Sequence, residues 1–107
     1  MKTNKLTGMC LDWAVARATG RFKGDTFLYF TSDWRDGGWI IESEKISIEY
    51  MAGAGDAGAD VWVATRIEHP AISEEQGSTP LEAAMRCYVA SQLGDEVDVP
   101  KWLEELK

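Results

Sequence analysis

The stretch Gly77-Ser78-Thr79-Pro80, followed by Leu81, Ala84, Met85, Tyr88, Val89 and Leu93, constrains this chain more than any other feature. A hydroxyl residue ahead of a proline marks a helix start. The side-chain oxygen caps a free backbone N–H, and proline, which has none, loses nothing in the first turn. The apolar residues then recur at three- and four-residue spacing, which gathers them on one face of a helix. Gly94 stops the pattern. Such a helix draws most of its stability from burying its apolar face, so the rest of the chain has to supply a surface for it.

Two alternating segments supply a β-layer. Over 45–51, Ile46, Ile48 and Tyr50 share one side. Over 60–68, Val61, Val63, Thr65 and Ile67 share one side and Trp62, Ala64, Arg66 and Glu68 the other. Period-two alternation is the mark of a half-buried strand. The glycine-rich connection from Ala52 to Ala59 predicts an antiparallel hairpin with a mobile tip. Within it, Gly53-Ala54-Gly55-Asp56-Ala57-Gly58 has the spacing of a dinucleotide fingerprint. That fingerprint has to open a helix; here it leads into a second strand, so it reads as a loop.

The N-terminal half predicts a first helix over 7–19, with Leu6, Met9, Cys10 and Trp13 on its buried face and Gly20 as its stop. Residues Phe27 to Phe30 read as a short strand or an ordered loop. Thr31 or Ser32 caps a turn through Asp33-Trp34-Arg35, Gly37-Gly38 breaks it, and a short helix follows over 39–45. Pro100 opens a last short helix whose Trp102, Leu103 and Leu106 fold back onto the body. The sum is an α+β fold, a small α–β–α sandwich. It has an N-terminal helix, a short helix, an antiparallel β-hairpin or three-stranded sheet, and a long C-terminal helix. A chain of 107 residues makes it one domain over 1–107.

Cys10 and Cys87 both fall on apolar helix stripes and read as buried free thiols. No apolar run is long enough to span a membrane, and Asp12 and Arg17 interrupt any signal-peptide pattern, so a cytoplasmic protein is expected. The net charge of −7 is unevenly spread. Residues 1–24 hold five basic groups and one acidic group; residues 25–107 hold six basic and seventeen acidic groups. That acidic bulk repels phosphates, which disfavours direct binding of nucleic acid. It serves solubility or meets a basic protein.

Candidate recognition residues gather at the double glycine: Asp33, Trp34, Arg35, Gly37 and Gly38, with Arg66 added if its face of the sheet is open. Adjacent glycines at a helix start can bring backbone N–H groups to an anion. Trp34 and Arg35 lie on a polar turn, suited to recognition. Trp62 is either core or half of an aromatic-plus-cation platform with Arg66. Trp13 is expected in the core and Trp102 as the anchor of the C-terminal tail. His69, ahead of Pro70, reads as a turn residue. Glu74-Glu75, Asp95-Glu96 and Glu104-Glu105 read as solvated faces, and none is assigned a catalytic role. No metal or cofactor is expected, and no enzyme activity.

Four segments taken in order resemble one family. Leu6-Thr-Gly-x-x-Leu-Asp-Trp-x-Val-Ala-Arg-Ala-x-Gly20 comes first, then Ser/Thr-Asp-Trp-x-x-Gly-Gly-x-Ile-Ile-Glu up to Glu42. Thr79-Pro-Leu-x-Ala-x-Met-Arg-x-Tyr-Val-Ala-Ser and Gly94-Asp-Glu-Val-x-Val-Pro100 follow. Together they resemble the NinX-like proteins of tailed bacteriophages and prophages. The chain departs from that pattern at Arg35-Asp36, where Ala-Gln is usual, and at Trp39, where proline is usual. The resemblance implies a small accessory protein without an established activity, and an α–β–α layout. Two functions are expected, the first from the resemblance, the acidic bulk and the missing catalytic set, the second from the double-glycine corner with Trp34, Arg35 and Arg66. One is a non-enzymatic protein that binds a host protein, in host takeover or against host defence. The other is a binder that sequesters a nucleotide-like anion. A homodimer fits either.

Overall fold

A computed structural model describes residues 1–20, 29–68 and 70–105 of the chain. Helix α1 (Gly8–Thr19) stops where expected. Gly20 takes the left-handed conformation, φ 73°, and its N–H reaches the carbonyls of Ala16 and Arg17. Helix α2 (Trp34–Ser43) starts at Asp33, whose side chain accepts the N–H of Arg35. Helix α3 (Pro80–Leu93) starts at Thr79, whose Oγ1 accepts the N–H of Glu82 at 3.0 Å. The Glu82 carboxylate reaches back to accept the N–H of Ser78 at 2.9 Å, a reciprocal cap. Helix α4 is the single turn Lys101–Glu104.

Three antiparallel strands form one sheet in the order β1 (Ser47–Met51), β2 (Val61–Glu68), β3 (Ala71–Gly77). Tyr50 lies opposite Trp62 and Trp62 opposite Gly77; Ile67 lies opposite Ile72. Strand β3 is the third strand allowed for in the sequence reading, but Ser73-Glu74-Glu75-Gln76 is too polar to signal it. The hairpin tip between β1 and β2 is tied down. Gly55 donates its N–H to Ala59 O at 2.7 Å, and a short 3-10 turn runs over Asp56–Gly58. The Tyr50 hydroxyl and the Gly53 N–H donate to the two Asp60 carboxylate oxygens at 2.6 and 2.9 Å. Those donors hold Asp60 below the usual carboxylate range, and the bond to Asp60 holds the Tyr50 phenol above its own. His69 and residues 27 and 28 lie outside the described residues. Tyr29 and Phe30 belong to a turn closed by the Asp33 N–H on Tyr29 O at 2.8 Å, with Phe30 fully buried.

Helix α3 covers the face of the sheet that carries Ile48, Trp62, Ala64 and Arg66. Gly77 fixes how close it comes: a Cβ there would lie 2.9 Å from Ala83 Cα, so only glycine lets β3 and α3 meet. Helices α1 and α2 pack mainly against α3. The mixed α+β class stands, and among the described residues α3 lies between the sheet and α1 with α2. Among the described residues no helix covers the other sheet face, where Met51, Ile67 and Ile72 are exposed and Val63 is 9% exposed. Both sides of β2 are rich in apolar residues, so alternation could not say which one the helix takes. Cys10 and Cys87 are buried and unpaired. Trp13 is in the core. Trp102 is 55% exposed, and Leu103, 1% exposed, anchors the tail in its place.

Candidate binding surface

Asp33 organises the turn that leads into α2. Its Oδ1 accepts the Arg35 N–H at 2.9 Å, and its carbonyl accepts the N–H groups of Asp36 and Gly37 at 3.0 Å each. Asp36 Oδ2 accepts the Tyr29 N–H at 2.8 Å. The turn and the first turn of the helix are therefore one hydrogen-bonded unit. On its outer side stand Tyr29, 58% exposed, and Trp34, 56% exposed. The Arg35 side chain extends into solvent, with its Nε 3.7 Å from Asp33 Oδ1.

On the inner side Gly37 is buried, and a Cβ there would collide with the Phe30 carbonyl oxygen and lie 2.9 Å from Leu81 Cδ2. Gly38 is freer; its nearest neighbour is Trp34 Cε3 at 3.5 Å. The glycines therefore do not break the chain. They lie inside α2, which begins at Trp34 and not at 39. Gly37 is required for close approach, not for a turn.

The geometry of an anion site is altered accordingly. Two carboxylates, Asp33 and Asp36, already sit at the positive end of the α2 dipole and take up nearby backbone donors. Arg66 does not join them. Its Nη2 meets Glu44 Oε1 at 3.0 Å and its Nη1 meets Glu68 Oε2 at 2.6 Å. Glu44 is the C-cap of α2. The helix rise sets it about 16 Å from Asp33 along the axis. Trp62 lies on the α3 side of the sheet with its ring centroid 5.1 Å from that of Tyr50. The platform of Trp62 and Arg66 is thus on the covered face, with the guanidinium committed to two glutamates.

One residue of this surface was not legible as such. Asp12, 5% exposed in the middle of α1, accepts the Thr31 N–H on Oδ1 at 2.9 Å. Burial pushes its pKa up, the bonds from Thr31 pull it down, and the negative charge of Asp36 adds to the rise. The signal in the sequence is a charged residue inside Leu11-Asp12-Trp13-Ala14-Val15, every member of which is buried.

The family described as Bacteriophage P22, NinX matches residues 29–92, from Tyr29 through α2 and the sheet to the end of α3. No curated protein matches the chain significantly. With more than half of its length matched, the chain belongs to the phage P22 NinX family.

Proposed function

We propose that this chain is a non-enzymatic accessory protein of a phage or prophage that acts in the cytoplasm of the infected cell by binding a host protein. The observation that carries this reading is the joint exposure of Tyr29, Trp34 and Arg35 on a turn fixed by Asp12, Asp33 and Asp36. Aromatic side chains and arginine dominate the energetics of protein interfaces. A backbone already held by hydrogen bonds keeps the ordering cost of binding low. The acidic balance of the chain favours a partner with a basic surface. Host takeover or resistance to host defence is the setting in which a phage would use such a binder. Sequestering a nucleotide-like anion finds less support, because carboxylates stand where the anion would go.

The test is capture from infected and uninfected host lysate on immobilised protein, wild type against Trp34→Ala and Arg35→Ala. One host protein retained at high salt by the wild type and lost from Trp34→Ala supports the reading. An identical set of proteins on both forms, or stabilisation of the wild type by nucleotides in a thermal-shift screen, overturns it.

A further inference from the structure

The sheet face that no helix covers among the described residues is a second surface, and its pattern is specific. Val61, Val63, Thr65 and Ile67 of β2 run down its middle, with Val61 and Thr65 half-buried, Val63 only 9% exposed and Ile67 exposed. Register places Glu49 of β1 and Glu74 of β3 on either side, opposite Val63 and Thr65. Both glutamates are exposed. Ile67, 60% exposed, and its cross-strand partner Ile72, 67% exposed, close one end, and Met51 lies at the other. The face carries no Lys or Arg among these three described strands, since Arg66 lies on the side covered by α3.

From this we infer that the open face receives a basic amphipathic helix of a partner protein, laid along β2. The dimensions fit. Strands spaced about 4.8 Å apart put the two flanking rows roughly 10 Å from each other, the width of a helix with its side chains. Val61 to Ile67 spans about 20 Å, which is matched by roughly 13–14 helical residues. The apolar stripe of the guest meets β2, and its Lys or Arg residues on both flanks meet Glu49 and Glu74. Charge complementarity selects this guest over a second copy. A two-fold pairing of this face sets glutamates only against glutamates and uncharged side chains, with no cation to offset them.

The test uses the full chain and two synthetic helical peptides of about 14 residues, one with a Leu stripe flanked by Lys, the other with Glu in place of Lys. Amide shifts are followed by NMR. The Leu/Lys peptide should shift Val61 to Ile67 and Ile72, and the Leu/Glu peptide should not bind. Glu49→Lys with Glu74→Lys should weaken the Leu/Lys peptide by at least about tenfold and admit the Leu/Glu peptide. Glu42→Lys with Glu104→Lys makes the same change of net charge away from this face and should leave affinity within about threefold. Ile67→Ser with Ile72→Ser should also weaken binding, with melting temperature confirming that each variant is folded. Equal loss from the two charge variants reduces the effect to net charge and overturns the inference. So do shifts confined to Tyr29 and Trp34, absence of binding, or a concentration-dependent dimer abolished by Ile67→Ser. Because Trp34 stands on α2, which packs against α3 on the other side of the sheet, Trp34→Ala should leave peptide binding intact whether or not the reading of the α2 corner survives.

Discussion

The carboxylate of Asp12 accepts the backbone N–H of Thr31 at 2.9 Å, joining the middle of α1 to the turn that opens α2. The contact spans residues that are distant in sequence and ties the exposed Tyr29 and Trp34 to the core. Asp12→Ala leaves a donor without its partner and should cost about 1–3 kcal/mol in urea denaturation. Asp12→Asn keeps an acceptor oxygen and should cost less. The pH dependence separates the two forms further. Burial raises the folded pKa of Asp12 above its ordinary 3.8, so the folded state binds the proton more tightly than the unfolded state. Ionisation therefore costs stability at neutral pH, and that cost is relieved as pH falls through the raised value. Wild type should gain on Asp12→Asn between neutral pH and about 4. A difference between them that is flat in pH contradicts this assignment.

Gly37 and Gly38 are neighbours of one type in one helix, yet substitution should change stability in opposite directions. A methyl at Gly37 meets the Phe30 carbonyl oxygen and Leu81 Cδ2, so Gly37→Ala should destabilise by about 1–3 kcal/mol or more. A methyl at Gly38 makes only an ordinary contact with Trp34, so Gly38→Ala should stabilise by about 0.5–1 kcal/mol through the lower entropy of the unfolded chain. Equilibrium unfolding of the two variants decides it, and equal effects at both positions would refute this account of α2.

These glycines also show where sequence reading works and where it stops. Thr79-Pro80 and Gly20 declare the ends of α3 and α1 through local chemistry, and the structure places those ends accordingly. Gly37 looks like a breaker because the oxygen it must avoid belongs to Phe30, a tertiary neighbour that no local pattern announces. β3 stayed hidden because one of its faces is solvated and the other is covered partly through Gly77, which has no side chain to show. The polar turn makes Trp34 and Arg35 candidates for exposure without deciding it; both side chains stand in solvent. Arg66 was placed with them only on the premise that its side of the sheet is open. The choice of sheet face is a long-range decision, made where Gly77 admits α3.

Cys87 should be inert in the native protein. Burial, with the negative charge of Glu75, pushes its thiol up to about 11, and its Sγ lies 3.3 Å from the Ser73 carbonyl oxygen. The thiolate, the reactive form, is then about one part in a thousand at pH 8. Labelling with a thiol reagent should be slow for Cys10 and Cys87 under native conditions, since both are buried, and rapid for both in strong denaturant. Modification of Cys87 within seconds in the native state would place its side chain elsewhere.

Arg66 separates packing from charge. Its side chain is 12% exposed, its stem lies on the face covered by α3, and its guanidinium spans Glu44 and Glu68. Both glutamates are partly in solvent, so each pair contributes about 0–1 kcal/mol and weakens with salt. The buried stem excludes water whatever the ionic strength. Arg66→Met keeps most of that volume and loses only the pairs; Arg66→Ala loses both. Among the described residues the Nε of Arg66 has no hydrogen-bond partner, so neither variant forfeits a bond there. Arg66→Met should cost up to about 2 kcal/mol at low salt and less near 0.5 M salt. Arg66→Ala should cost roughly 1–2 kcal/mol more than Arg66→Met at either ionic strength, because the cavity term does not respond to salt. If the two variants converge at high salt, Arg66 acts through charge alone and its stem contributes nothing to the seat of α3 on the sheet.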